Sequence, residues 1–187
     1  MRTTVAVVDE LFGLPAHPLV VHAAVVLVPL AAIGVVIIAF WPAARARLGV
    51  AVVMIAALGT VFAYLAAESG EYLEEQVEET EQVEEHAELG DSGLASAAAV
   101  LLGAVAVTGF GLYERRRSAT PEPADSASGD TARGPDRKLV YLRTGVGVVA
   151  VVLVSLGTLQ IARIGHSGAK ATWDNVGGST VDSDDDD

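Results

Sequence analysis

The stretch LGVAVVMIAALGTVFAYLAA, residues 48–67, decides the fold, because it contains no charged side chain at all. A helix of this length rises about 30 Å, the thickness of a bilayer's hydrocarbon core. The stretch is apolar on every side, whereas a helix of a water-soluble domain would show a polar face at a period of 3.6. It is flanked by Arg45 and Arg47 on one side and by Glu68 and Glu71 on the other. Charge at both ends and none between is the pattern of a membrane span.

Working outward, three more segments meet the same length. Leu19 to Trp41 holds one His and one Pro, Gly93 to Tyr113 is uncharged, and Leu139 to Ile164 has Arg143 and Arg163 near its ends. Both arginines can reach an interface along their own aliphatic stems. Trp41, Tyr113 and Tyr141 lie at segment ends, where interfacial aromatics belong. The fold class expected is all-α: a polytopic membrane four-helix bundle, built of two helical hairpins joined by a flexible linker. Residues 1–16 form an N-terminal segment, 17–173 the transmembrane domain and 174–187 an acidic, unstructured tail. The first span reads as an uncleaved anchor, because the residues before it carry the wrong charge for a signal peptide.

Composition agrees and excludes several function classes. The chain is 51% hydrophobic and 19% charged, its mean hydropathy is +0.44, and its net charge is −12. There is no cysteine, which rules out disulfides, thiolate chemistry and covalent haem attachment. Nucleic acid is not an expected partner, because no basic surface is large enough to neutralise phosphates. The chain shows no nucleophile elbow, phosphate-binding loop or zincin helix, so the sequence leaves enzymatic activity open.

Orientation follows from the connections. Those at 42–47 and 114–138, together with Arg143, hold nine of the twelve Lys and Arg residues. The connection at 68–92 holds none, but has eleven acids. The positive-inside rule places the two basic connections in the cytoplasm of a cell membrane, and the acidic connection and both termini outside. Residues 118–136, rich in Pro, Ser, Gly and Asp, read as a disordered cytoplasmic linker. Residues 71–88 read as an acidic helix continuing the second span, broken at Gly90-Asp91-Ser92, which would cap the third.

This topology brings all four histidines to the outer surface: His17 and His22 at the start of the first span, His86 before the third and His166 after the fourth. Five residues apart, His17 and His22 would not share a face of a regular helix. His22 lies inside an apolar run, where an ionisable side chain usually faces the bundle interior and has a partner. Glu68 and Glu71, three apart on one helix face, are level with the histidines. Such a set offers two chemistries. Paired imidazoles from different helices can ligate haem b through His17, His22, His86 and His166. Alternatively His22, His86 and His166, with Glu68 and Glu71, could hold a divalent metal such as zinc or copper, or non-haem iron. The competing expectation is that the histidines cap helices and bind no cofactor.

Taken together, GLPAHPLVVH at 13–22, ESGE at 68–71, His86 and GHSGA at 165–169 resemble a bacterial family of predicted membrane proteins, catalogued as domain of unknown function 2231. The resemblance spans roughly Leu11 to Trp173. It implies four spans with motif histidines at His17, His22, His86 and His166, and no established activity. One departure is Ala23-Ala24 after the second histidine, where Phe-Pro is the commoner pair. The function expected is haem or metal binding in a redox role, exchanging electrons with the quinone pool or an extracytoplasmic carrier. The alternatives are a ligand-free structural or assembly partner in the membrane and a cation-handling transporter component.

Because the chain has no native cysteine, orientation is directly testable. A membrane-impermeant maleimide applied to intact cells is expected to label Glu88→Cys and to spare Ala127→Cys; the reverse pattern would invert the topology.

Overall fold

The computed structural model describes residues 10–11, 14–74, 77, 80–119 and 137–177, with side chains at 17–74, 77, 80–117 and 137–170. Two short strands, β1 (Glu10–Leu11) and β2 (Leu14–Pro15), pair antiparallel ahead of the helices. Four helices follow: α1 (Ala16–Phe40), α2 (Pro42–Glu74), α3 (Glu81–Ala119) and α4 (Arg137–Gly177). The protein is an all-α four-helix bundle, and each helix is long and apolar enough to cross a membrane. The second, third and fourth expected spans lie inside helices that continue past the apolar stretch, so their ends project beyond a 30 Å hydrocarbon layer, whereas the first runs one residue past the end of α1, to Trp41.

The turns explain the boundaries. Trp41 alone separates α1 from α2. Its N–H donates to the Ile37 carbonyl and its own carbonyl accepts from the Arg45 N–H, each at 2.9 Å, while Pro42 opens α2 where its missing N–H costs nothing. At the other end, Thr80 caps α3: its hydroxyl and carbonyl both accept from the Val83 N–H. Glu81 and Glu84 add negative charge to that first turn, where the helix dipole favours it.

Here the structure corrects an expectation. The acidic segment 71–88 is not one helix continuing α2. It divides between the end of α2 at Glu74 and the start of α3 at Glu81. Gly90-Asp91-Ser92 does not break the chain either, because α3 runs through it without interruption. The Ser92 hydroxyl donates back to the Leu89 carbonyl at 2.6 Å instead of capping a helix start, and accepts from the Gln160 amide of α4. Helix α4 likewise passes 173 to reach Gly177. Of the linker at 118–136, residues 120–136 lie outside the described residues, as do 178–187 of the tail.

The interior is made of small residues and the exterior of large ones. Buried positions are mostly Ala and Val, such as Ala31, Val35, Ala56, Ala97, Ala104, Val107 and Ala150. Bulky apolar side chains, including Ile33, Phe40, Met54, Leu102 and Leu156, point outward. Water would penalise that surface, and lipid does not, so the four apolar helices imply a bilayer around them. Small interior residues let backbones approach closely. At Gly157 an added Cβ would lie 2.7 Å from the Ser96 carbonyl oxygen.

The two hairpins repeat one another in register. Helix α1 packs on α2 and α3 on α4, with α1 and α3 also meeting across the diagonal. Buried positions of α1 recur in α3 at a constant spacing: Ala24 and Gly93, Val28 and Ala97, Ala31 and Val100, Val35 and Ala104, Ile38 and Val107. Those of α2 recur in α4 at a second, longer one: Gly49 and Gly147, Val52 and Ala150, Ala56 and Val154, Gly59 and Gly157, Ala63 and Ile161. The extra length of the second hairpin lies between its matched stretches, in the longer end of α3, the connection and the earlier start of α4. Membrane folds built of two parallel repeats have this organisation.

Gly157→Ala is expected to destabilise the detergent-solubilised bundle by about 1–3 kcal/mol, because a backbone oxygen cannot move aside. Gly109→Ala, whose Cβ would meet open space, should leave the unfolding midpoint unchanged or slightly raised; equal losses at both positions would contradict this packing.

Candidate functional site: paired histidines at one end of the bundle

The repeat places the same three side chains at equivalent points of both hairpins. In the first, His17 near the start of α1 meets Ser69 and Gly70 near the end of α2. In the second, His86 of α3 meets Ser167 and Gly168 of α4. The ring nitrogen Nδ1 lies 3.0 Å from the serine Oγ in each case. The glycine that follows each serine backs the ring, and a Cβ there would approach Cε1 to 3.1 Å at Gly70 and 2.9 Å at Gly168. Any larger residue would push the imidazole off its serine.

Each serine Oγ also lies within hydrogen-bond distance of a carbonyl of its own helix, Ser69 of Ala66 at 3.2 Å and Ser167 of Ile164 at 2.9 Å. With the hydroxyl hydrogen on that carbonyl, the oxygen accepts from the ring, Nδ1 carries the hydrogen and Nε2 keeps a lone pair; with it on the ring, the two nitrogens exchange roles. Both rings are half-buried, a setting that disfavours imidazolium. The two are also near enough for a charge on His86 to act on His17. They sit on α1 and α3, the pair that meets across the diagonal.

The other expected residues are placed differently. His22 was expected to face the bundle interior, but its side chain is exposed and its Nδ1–H donates to the Pro18 carbonyl of its own helix at 2.6 Å. Helix α1 is regular from Ala16 onward, so His17 and His22 diverge by about 140° and only one of them can turn inward. His166 is exposed, because its neighbour Ser167 takes the inward position. Glu68 and Glu71 are exposed as well. Among the described residues, no group of three or more His, Asp or Glu side chains is close enough to share a metal ion. The four-histidine surface set thus resolves into one inward pair, His17 and His86, and two outward rings.

The sequence reading missed Ser69 and Ser167. Both stood inside the motif stretches, which were read for Glu68, Glu71 and His166 instead. A usable signal was present: Gly49, Gly59, Ser69-Gly70 and Gly147, Gly157, Ser167-Gly168 keep identical spacing.

Ser167→Ala removes the hydroxyl that faces the His86 Nδ1 at a cost of about 0.5–1.5 kcal/mol. Nitrogen-15 spectra of histidine-labelled protein should show His17 and His86 as pure Nδ1–H tautomers, with Ser167→Ala mixing the forms at His86 alone. An Nε2–H tautomer in the unmodified protein would put the hydroxyl hydrogens on the rings instead.

No curated protein and no solved structure matches the chain. A family model does, described as a predicted membrane protein of domain of unknown function 2231, and it matches residues 13–181. That range takes in all four helices and both histidine–serine–glycine sets, and the chain belongs to this family of predicted membrane proteins.

Proposed function

We propose that the protein is a membrane redox component that holds haem b through His17 and His86. The observation carrying this reading is the pair of half-buried rings on α1 and α3, each with Nδ1 3.0 Å from an inward serine hydroxyl; with Nδ1–H given to the serine, Nε2 is left as a lone pair. Histidines that ligate a metal typically donate their second ring N–H to a fixed acceptor, which orients the ring and raises its basicity. Ser69 and Ser167, each anchored to its own helix backbone, supply such acceptors twice.

The number of donors favours haem over a bare ion. Structural and catalytic zinc sites, and most copper and non-haem iron sites, take three or more protein ligands. Haem iron needs only two axial imidazoles, and these come readily from facing helices of a bundle. Bound there, haem would supply one-electron transfer. The chain's own part is to orient both rings against the serines and, by half-burying them, to disfavour their charged form. The charge distribution supports an extracytoplasmic location for this end, in reach of a quinone or an external carrier. Glu68, Glu71 and the acids around 81–88 would give that end a negative field that attracts a cationic partner.

A ligand-free structural role is the second reading. It draws on the closeness of Gly70 and Gly168 to the rings, which would make each histidine a lock within its hairpin. A cation-handling role has less support, because the spans carry no ionisable residue at mid-depth.

Absorption spectra of the purified full chain, air-oxidised and dithionite-reduced, separate these readings. A Soret band that sharpens on reduction, disappears in His17→Ala and His86→Ala, and survives in His22→Ala and His166→Ala is the expected result. Protein from a haem-replete host with no Soret band would overturn the haem reading and leave the locks.

A further inference from the structure

The opposite end of the bundle contains a second polar site, independent of the histidines. A cavity of about 230 Å³ opens between the start of α2, the end of α3 and the start of α4. Four arginines line it, Arg45, Arg47, Arg115 and Arg143, and Glu114 is the one carboxylate among its lining residues. Arg45 is largely buried, and its Nη2 donates to Glu114 Oε2 at 2.9 Å. Gly111 makes room for it, since a Cβ at that position would lie 2.7 Å from the Arg45 Nε. Arg115 and Arg143 both act on Arg45 as like charges.

The repeat makes this arrangement informative. Arg45 and Arg143 occupy equivalent positions of α2 and α4. Arg45 receives a carboxylate because α3 continues past the membrane-facing stretch to Glu114. In the first hairpin α1 stops at Phe40, and the chain turns at once through Trp41 into α2. No helical residue is left to offer Arg143 the equivalent acid. Among the described residues, one carboxylate thus faces four guanidinium groups around one cavity, at the level where the apolar spans end. Guanidinium forks match the paired oxygens of a phosphate group, and basic pockets between membrane helices at this depth receive anionic headgroups.

We propose that this arginine-lined cavity binds a phosphate group, with Arg47, Arg115 and Arg143 as its donors and the Arg45–Glu114 pair as its fixed floor. The phosphate can belong to an anionic phospholipid of the leaflet at this end or to a soluble phosphate compound. In either case the bound anion replaces the carboxylate that the shorter first hairpin cannot supply.

Native mass spectrometry of the detergent-purified full chain, titrated with phosphatidylglycerol or phosphatidylcholine, tests the site. The unmodified protein should retain phosphatidylglycerol about tenfold more strongly than phosphatidylcholine, and Arg47→Gln with Arg143→Gln should abolish that preference. Arg143→Lys alone should weaken it while keeping the charge, which guards against a double variant that fails to fold. Preference that persists in excess inorganic phosphate identifies a lipid headgroup. Displacement by inorganic phosphate, dependent on the same arginines, identifies a soluble phosphate, and both results support the site. Equal retention of the two lipids with no arginine-dependent phosphate binding would overturn it.

Discussion

Close approach of helix backbones through small residues is the constraint on which the rest of this structure depends. In hydrocarbon, burying a leucine between helices gains little, because lipid is as apolar as leucine. What remains is van der Waals contact between surfaces that fit. The bundle meets this with Ala, Val and Gly inside and bulky side chains outside, the reverse of a soluble core. Glycines sit where no Cβ fits, at Gly157 against a backbone carbonyl and at Gly168 against an imidazole. Thr108 adds a bond across this interior, its hydroxyl donating to the Gly49 carbonyl at 3.2 Å.

Polar chemistry is thereby displaced to the two ends, and each end takes a different character. At one, neutral rings pair with hydroxyls within each hairpin. At the other, guanidinium groups gather around a single carboxylate. The duplication of the hairpin links the two ends. Where both copies keep their geometry, as at His17–Ser69 and His86–Ser167, the result is a matched pair across the α1–α3 diagonal. Where the copies differ in length, as between the one-residue turn at Trp41 and the long connection after α3, the result is an imbalance of charge.

The bilayer bundle was legible in the sequence because it depends on averages over about twenty residues, and no local detail can reverse them. The fate of the acidic segment was not. Its apolar spacing suggested a single helix over 71–88, and the deciding features were the cap at Thr80 and the tolerance of α3 for Gly90. A glycine inside a helix costs about 1 kcal/mol, which a helix the length of α3 absorbs. The motif stretches are legible, but the inward positions lie one residue away from their chemically strongest groups: Glu68 and His166 face outward, whereas their neighbours Ser69 and Ser167 turn inward.

By itself, then, the sequence determined that the chain is a four-span membrane protein with its histidines gathered at one end and most of its arginines at the other, since span length and segregated charge are properties of composition along the chain. Only the tertiary structure decided which histidines pair with which serines, which ring nitrogen lies against the hydroxyl, and that arginines from three helices share one cavity. Those facts depend on helix rotation, where one residue is 100°, and on which helices meet across the bundle. Hydropathy averages over both.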